Sequence, residues 1–444
     1  MRSFLKENDM MAYIVMMAVR LIELHRVLKP TGSLYLHCDE TASHYLKVLL
    51  DAIFGKEHFE NEIIWLRTHS HNMPTKSYVR QNDYLLYYSK GTEITFNTIY
   101  LEYGDAQLKR FKLDDQGRLY KAENLTFSTA NPSRQFEWRG TQPPSNRSWG
   151  ADKDQLERWY KEGRILLKRD GKPRLDGLKV FLDDTKGKPL GTNWTDIPRI
   201  GNTSGERLGY PTQKPLALLE RIISASSNLG DVVLDPFCGC GTTVHAAQKL
   251  ERQWTGIDIT HLAISLIEKR LRDAFAGIEF DVHGTPKDLE GARALADQDK
   301  YQFQWWAVSL VDAVPYGGKK KGADSGIDGL IYFKPDGKTT EKAIVSVKGG
   351  GNVGVKMIRE LANVVEHEKA KIGVFITLAE PTGPMKTAAT SEGFFETEYG
   401  KYPKVQIITI EELFAGKRPA IPLIDSSSFK KAPRENPEKQ GTLL

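Results

Sequence analysis

The sequence predicts an α/β protein with a second, smaller α/β domain, and three observations carry that prediction. The apolar run Val232-Val233-Leu234 ends in Asp235-Pro236-Phe237 and passes through Gly239 and Gly241 into a helix-like segment, Thr243 to Leu250. A second short apolar segment, Trp254 to Asp258, follows as in a strand–turn–helix–strand unit. From residue 301 strand-like and helix-like segments alternate afresh, after a charged, alanine-rich stretch.

Taken in chain order, Met, Val, Leu and Ile recur at helical spacing over 10–28, and 33–37 read as a short apolar strand. Residues 41–53 return to a helix with Leu46, Leu49 and Leu50 on one face. Ile63-Ile64-Trp65 and Tyr84 to Tyr88 read as two further strands. Residues 91–208 are polar, irregular and rich in Arg, Lys, Trp and Tyr. Leu216, Leu219 and Ile223 mark a helix before the glycine segment. The glycines there allow close approach of a ligand to the backbone, and the helix start offers free N–H groups. Asp258, at the end of the second strand, is placed to hydrogen-bond a ribose. Residues 264–275 read as a helix, 278–282 as a strand and 286–300 as a linker. Strands at 330–333, 342–348, 372–378 and 405–410 alternate with helices through Ile358 and after Pro384. The tail, 419–444, reads as disordered.

Composition bounds the function classes. The 444 residues are 40% hydrophobic and 27% charged, as in an ordinary globular protein. No run approaches the roughly 18 apolar residues of a membrane span. Lys6, Glu7 and Asp9 break any apolar leader, so a cytoplasmic protein with no membrane partner is expected. The net charge of +5 is compatible with a nucleic-acid partner without being diagnostic. Lys319-Lys320-Lys321, between glycines, reads equally as a solvated loop or a phosphate contact. Cys238 and Cys240 are too few ligands for a metal without suitably spaced histidines, and read as small residues filling a tight turn.

The phrase Asp235-Pro236-Phe237-Cys238-Gly239-Cys240-Gly241-Thr242-Thr243 resembles the cofactor motif of class-beta DNA amino-methyltransferases. Two further segments agree with it in order: Tyr210-Pro211-Thr212-Gln213-Lys214-Pro215 upstream, and Leu24 to Asp39 near the N-terminus. The resemblance implies a permuted Rossmann-like methyltransferase sheet, with a substrate-side half at 1–90, target recognition at 91–208 and a cofactor half at 209–285. It implies S-adenosylmethionine as cofactor, held by Asp235, Pro236, Phe237, Gly239, Gly241, Thr242, Asp258, Gln213, Lys214 and Pro215. The partner it implies is double-stranded DNA, methylated on N6 of adenine or N4 of cytosine. The loop 68–81, with His69, His71, Asn72, Lys76 and Arg80, then reads equally as a DNA-facing loop or a polar crossover.

The family's base-gripping tetrapeptide, (D/N/S)PP(Y/F), is absent from the sequence. In the family its strand lies between the strand at 232–235 and the strand at 33–37, so the sheet is expected to lack one central strand. A late start site or a truncated gene is the expected explanation. Residues 301–418 resemble the restriction-endonuclease core of the Mrr-like branch, in which an Asp and an (E/Q)xK hold a divalent metal. Asp328 and Lys348 match as catalytic residues, with Asp328 as the ligand of a Mg²⁺ ion, but Ser346 stands at the Glu/Gln position. The resulting expectation is a restriction-modification methyltransferase fused to a nuclease-like domain. Beside it stand a catalytically inactive DNA-binding protein and a nuclease that recognises DNA through its methyltransferase half.

Overall fold

A computed structural model describes residues 5–69, 76–201, 203–208, 210, 212–316, 326–336, 338–398 and 400–422. The chain divides into two compact units, Met1–Phe96 with Asn193–Leu444, and Asn97–Thr192.

The first unit opens with helix α1, Asp9–Val27, started by the Asn8 side chain accepting the Met11 N–H. Strand β1 is Ser33–Cys38, helix α2 Ser43–Phe54, and strands β2 and β3 are Phe59–Leu66 and Asn82–Ser89. Alternation along β1 turns Leu34, Leu36 and Cys38 into one core with Ile14, Met17, Leu21, Leu46 and Leu50 of the two helices. Tyr35 and His37 therefore point to the opposite face. β3 pairs antiparallel with both β1 and β2. β4, Asn193–Trp194, joins parallel to β2, giving the order β1-β3-β2-β4. Trp194 had been grouped with the recognition segment; its place is in this sheet, because the Trp65 indole N–H holds the chain just beyond it at Ile197 O, 2.8 Å away.

Helix α3, Leu216–Ser226, leads to β5, Val232–Asp235, then α4, Thr242–Lys249, β6, Gln253–Gly256, and α5, His261–Ala274. β5 and β6 are a parallel pair, Val232 opposite Gln253 through Asp235 opposite Gly256. Among the described residues no strand joins β5 to β1, so the sheet is split where a central strand was expected to be missing. Val232 and Leu234 are consequently 56% and 38% exposed, whereas parallel strands under helices are ordinarily buried.

Two expectations are corrected here. Residues 278–282 are not a strand; Ile278 and Phe280 instead pack on Trp254 and the α4–α5 core, and that packing accounts for their apolarity. Residues 286–300 are not a linker but mostly helix α6, Leu289–Gln298, capped by Asp288 and burying Ala292 and Ala296. Small alanines let α6 sit closely on α7, Lys300–Ser309, whose Phe303 and Trp306 enter the same core.

That core covers one face of a five-stranded sheet, β7-β8-β9-β10-β11. The strands are Val314–Pro315, Gly329–Phe333, Glu341–Lys348, Ile372–Thr377 and Val405–Thr409. β7 to β9 are antiparallel, β9 to β11 parallel. Helices α8, Val355–His367, and α9, Gly383–Ser391, cover the other face through Ile358, Leu361, Val365 and Met385. Helix α10, Ile410–Phe414, closes the first face.

The second unit is an antiparallel sheet, Lys112–Leu113, Leu119–Glu123, Pro173–Phe181 and Ile165–Leu167 in that spatial order, with a helix at Lys153–Lys161. Its aromatic residues make a local core: Trp138 and Trp149 are buried with Leu125, Leu156 and Ile165. Their indole N–H groups donate to Glu157 and to Phe136 O. Lys319–Lys321, His71, Asn72 and residues 423–444 of the tail lie outside the described residues.

Candidate functional site

The glycine turn between β5 and α4 is closely constrained at two positions. Gly239 and Gly241 have φ of +49° and +71°, a region that side chains disfavour. A Cβ on Gly241 would also stand 2.7 Å from Ile267, and one on Gly239 3.1 Å from the Tyr210 ring. The turn is tied within by the Gly241 N–H donating to Cys238 O at 2.7 Å, and to the next strand by the Cys238 N–H donating to Ile257 O at 3.0 Å.

Asp258 sits just beyond β6 with both oxygens engaged. Its Oδ2 accepts the Gly239 N–H at 3.0 Å, and its Oδ1 accepts the Thr260 N–H and hydroxyl, each at 2.9 Å. Carboxylate oxygens have lone pairs to spare, so a ribose hydroxyl can still be accepted. Asp235 accepts the Phe237 N–H at 3.0 Å, and burial raises its carboxyl above the ordinary range against the opposing Thr243 hydroxyl. Pro236 is half-buried and the Phe237 ring half-exposed at the turn. Thr242, by contrast, is buried, its hydroxyl turned inward. Cys238 and Cys240 are buried too, and burial pushes the Cys238 thiol up to about 12, which suits packing rather than ligation.

Glycine-turn geometry, open helix amides and a neighbouring carboxylate fit an adenosyl cofactor. The described residues of the upstream segment, 210 and 212–215, are braced from within their own loop. The Gln213 amide donates to Glu206 O at 2.7 Å and accepts the Leu208 N–H at 2.9 Å, so this side chain braces its own loop. Pro215 is buried at the start of α3. The Lys214 ammonium donates to Thr212 O at 3.2 Å, and burial holds it below the usual lysine range.

A further cluster was not foreseen from the sequence. His37 Nε2 lies 2.8 Å from Asp83 Oδ2, and Arg67 Nε 3.5 Å from Asp83 Oδ1. Asp83 is buried, and its charge reaches Lys214 as well. Burial holds His37 below its ordinary value although the Asp83 bond opposes this, while Asp83 is held low by His37 and Arg67 against its own desolvation. Its one visible signal was an acid in second place in a strand that is otherwise mostly aromatic and apolar.

In the C-terminal sheet Asp328 stands one residue before β8 and continues its register opposite Ser346, so Asp328, Ser346 and Lys348 share a face. Asp328 Oδ2 lies 4.0 Å from Lys348 Nζ and accepts the Val347 N–H at 2.6 Å. Ser346 is 5% exposed. Glu360, on α8, is itself 3.7 Å from Lys356 and mostly exposed. No group of three His, Cys, Asp or Glu side chains suited to a metal occurs among the described residues. One carboxylate and a buried serine do not make a Mg²⁺ site of ordinary strength.

Residues 2–269 match the family model described as DNA methylase, and residues 295–414 the model described as restriction endonuclease. Type II methyltransferase M.EcaI of Enterobacter cloacae is 35% identical over 262 residues, 58% of this chain and 57% of that protein. DNA adenine methyltransferase YhdJ of Escherichia coli K12 is 48% identical over 84 residues, 19% of this chain and 28% of that protein. The M1.HpyAVI-SAM complex is a solved structure with a TM-score of 0.32 and 18% identity, covering 57% of this chain and 82% of that one. The chain spans between about a quarter and three fifths of the length of the curated relatives it matches. No helix among the described residues is long and apolar enough to cross a membrane.

Proposed function

The chain belongs to the DNA methylase family, and on that premise we propose that it binds S-adenosylmethionine at the β5–α4 turn and serves methylation of double-stranded DNA in a restriction-modification system. The reaction class is methyl transfer to N6 of adenine or N4 of cytosine. The observation that carries the cofactor reading is the Asp258 carboxylate joined to Gly239, which sets an acceptor beside two glycines whose backbone disfavours any side chain. When bound, the cofactor supplies an electrophilic methyl group on a sulfonium. The protein's share is to align it and exclude water. Asp258 would accept from the ribose, the amides at the start of α4 would hold polar groups of the cofactor, and Phe237 would offer an apolar edge. Pro236 and Pro215 fix the ends of the two segments, and Lys214 with Gln213 shapes the closing loop.

The unit 97–192 is proposed to read DNA through its exposed Arg and Lys side chains, since its tryptophans are occupied by the local core. No residue of the chain provides the tetrapeptide that grips the target base, so methyl transfer by this chain is expected to be absent. A second reading, DNA binding with metal-dependent cutting by the C-terminal sheet, is favoured by the 4.0 Å approach of Lys348 to Asp328. Both activities belong with cytoplasmic DNA.

The test pairs calorimetry of S-adenosylmethionine on the folded 444-residue chain with isotope transfer to duplex DNA. Binding without transfer is the expected result. Absence of binding by folded protein would refute the cofactor site, and robust transfer would refute the argument from the missing tetrapeptide.

A further inference from the structure

We propose that Arg270 is a positioning residue for the cofactor turn, holding it in its binding conformation from behind. The proposal rests on the S-adenosylmethionine reading above and adds a residue to it.

Arg270 lies in the last turns of α5 and is only 3% exposed. A guanidinium taken that far from water is costly unless its donors are well spent. Four of its contacts go to one place. Nη1 donates to Cys240 O at 3.2 Å and to the Thr242 hydroxyl at 3.0 Å, and lies 3.8 Å from Cys240 Sγ. Nε donates to His245 Nδ1 at 3.1 Å. All three partner residues belong to the turn or to α4.

The arrangement brackets Gly241. Residues on either side of it, Cys240 and Thr242, are fixed to the same nitrogen, while Gly241 itself holds the left-handed conformation that starts α4. Because Nδ1 of His245 accepts, its proton is on Nε2 and the imidazole is neutral; it is buried against Phe275. A flexible glycine turn thus acquires a rigid backing, and ordering that a ligand would otherwise have to impose is present beforehand. Arg270 also feels the charge of Glu206, whose carboxylate accepts the Leu216 N–H at 2.6 Å at the start of α3. One buried cation therefore bears on both segments that the cofactor reading uses.

The test uses the full chain with Arg270→Met, Arg270→Lys and Thr242→Val. Cofactor affinity is read by calorimetry with S-adenosylmethionine, and amide exchange by mass spectrometry. Arg270→Met is expected to lose at least about tenfold in affinity, the scale of one charge-assisted hydrogen bond. Exchange should quicken at 238–243 and stay unchanged in β5 and in the C-terminal sheet. Arg270→Lys, which keeps the charge but offers its donors from a single nitrogen, should recover part of the affinity. Should Arg270→Met fail to fold, Thr242→Val removes a single acceptor and is expected to show the same localised exchange with a loss of about threefold. Unaltered affinity and exchange in the folded variants would overturn the proposal, as would exchange quickened equally throughout β5, α4 and α5, which marks a residue of general stability. If the unmodified chain binds no cofactor, the earlier reading fails instead, and the exchange pattern still decides whether Arg270 orders the turn.

Discussion

Asp258→Ala is expected to weaken S-adenosylmethionine binding by about ten- to a hundredfold, because charge-assisted interactions of roughly 1.5–3 kcal/mol each are lost and water replaces part of each. One is the acceptor offered to the ribose. The others are internal: Oδ2 holds the Gly239 N–H at 3.0 Å and Oδ1 the Thr260 N–H and hydroxyl at 2.9 Å, so alanine also frees the turn and the residues before α5. Asp258→Asn separates them, since an amide oxygen can keep one acceptor while the charge is gone. A smaller loss is expected for asparagine. Calorimetry on folded variants measures both, and equal affinity in the parent and in Asp258→Ala would refute the placement of the cofactor.

The largest changes in the C-terminal domain are expected from two single variants of opposite effect, Asp328→Asn and Ser346→Glu. Asparagine retains an acceptor for the Val347 N–H, which Asp328 Oδ2 now holds at 2.6 Å, and removes the anion that a metal would need. Any plasmid nicking should therefore vanish while DNA affinity stays similar. Alanine at the same position would also break that tie between β8 and β9, and is the poorer test. Ser346→Glu restores the acid that the family places there, and metal-dependent nicking should rise if the carboxylate reaches Asp328. Its cost is overpacking and burial of a polar group, about 1–3 kcal/mol, because Ser346 is 5% exposed. Nicking that persists undiminished in Asp328→Asn, or in excess chelator, would remove these residues from any cutting mechanism.

The fold was legible wherever local pattern and tertiary packing ask for the same thing. β1 alternates, and its two faces separate into the α1–α2 core and the Tyr35–His37 face. The glycine turn was legible because positive φ leaves few residue types to choose from. Apolar residues at 278–282 misled, since Ile278 and Phe280 need a neighbour to pack on, which a strand and an irregular segment satisfy alike. The alanines and charges of 286–300 concealed α6, because small residues look featureless until a partner helix sits on them. At the site, motif residues were identifiable but the directions of their side chains were not. Thr242 turns in to Arg270 and Gln213 braces its own loop, choices made by neighbours distant in the chain. His37, Asp83 and Arg67 carry no spacing that links them, because antiparallel pairing of β1, β3 and β2 brings them together.

The split between β5 and β1 bears on how copies of this chain meet one another. Among the described residues β1 and β5 each have a strand on one side only, so each carries an outward row of N–H and C=O groups, and beside β5 the exposed Val232 and Leu234 add apolar surface. The two rows belong to different strands, so a contact that sets the β5 edge of one copy against the β1 edge of the next is head-to-tail. Such a contact uses one free edge of each molecule and leaves the other open, so it propagates without closing into a ring unless the rotation happens to suit. Light scattering that climbs with protein concentration, and falls when a charged residue replaces Leu234, is the signature of that growth; concentration-independent monomers would exclude it.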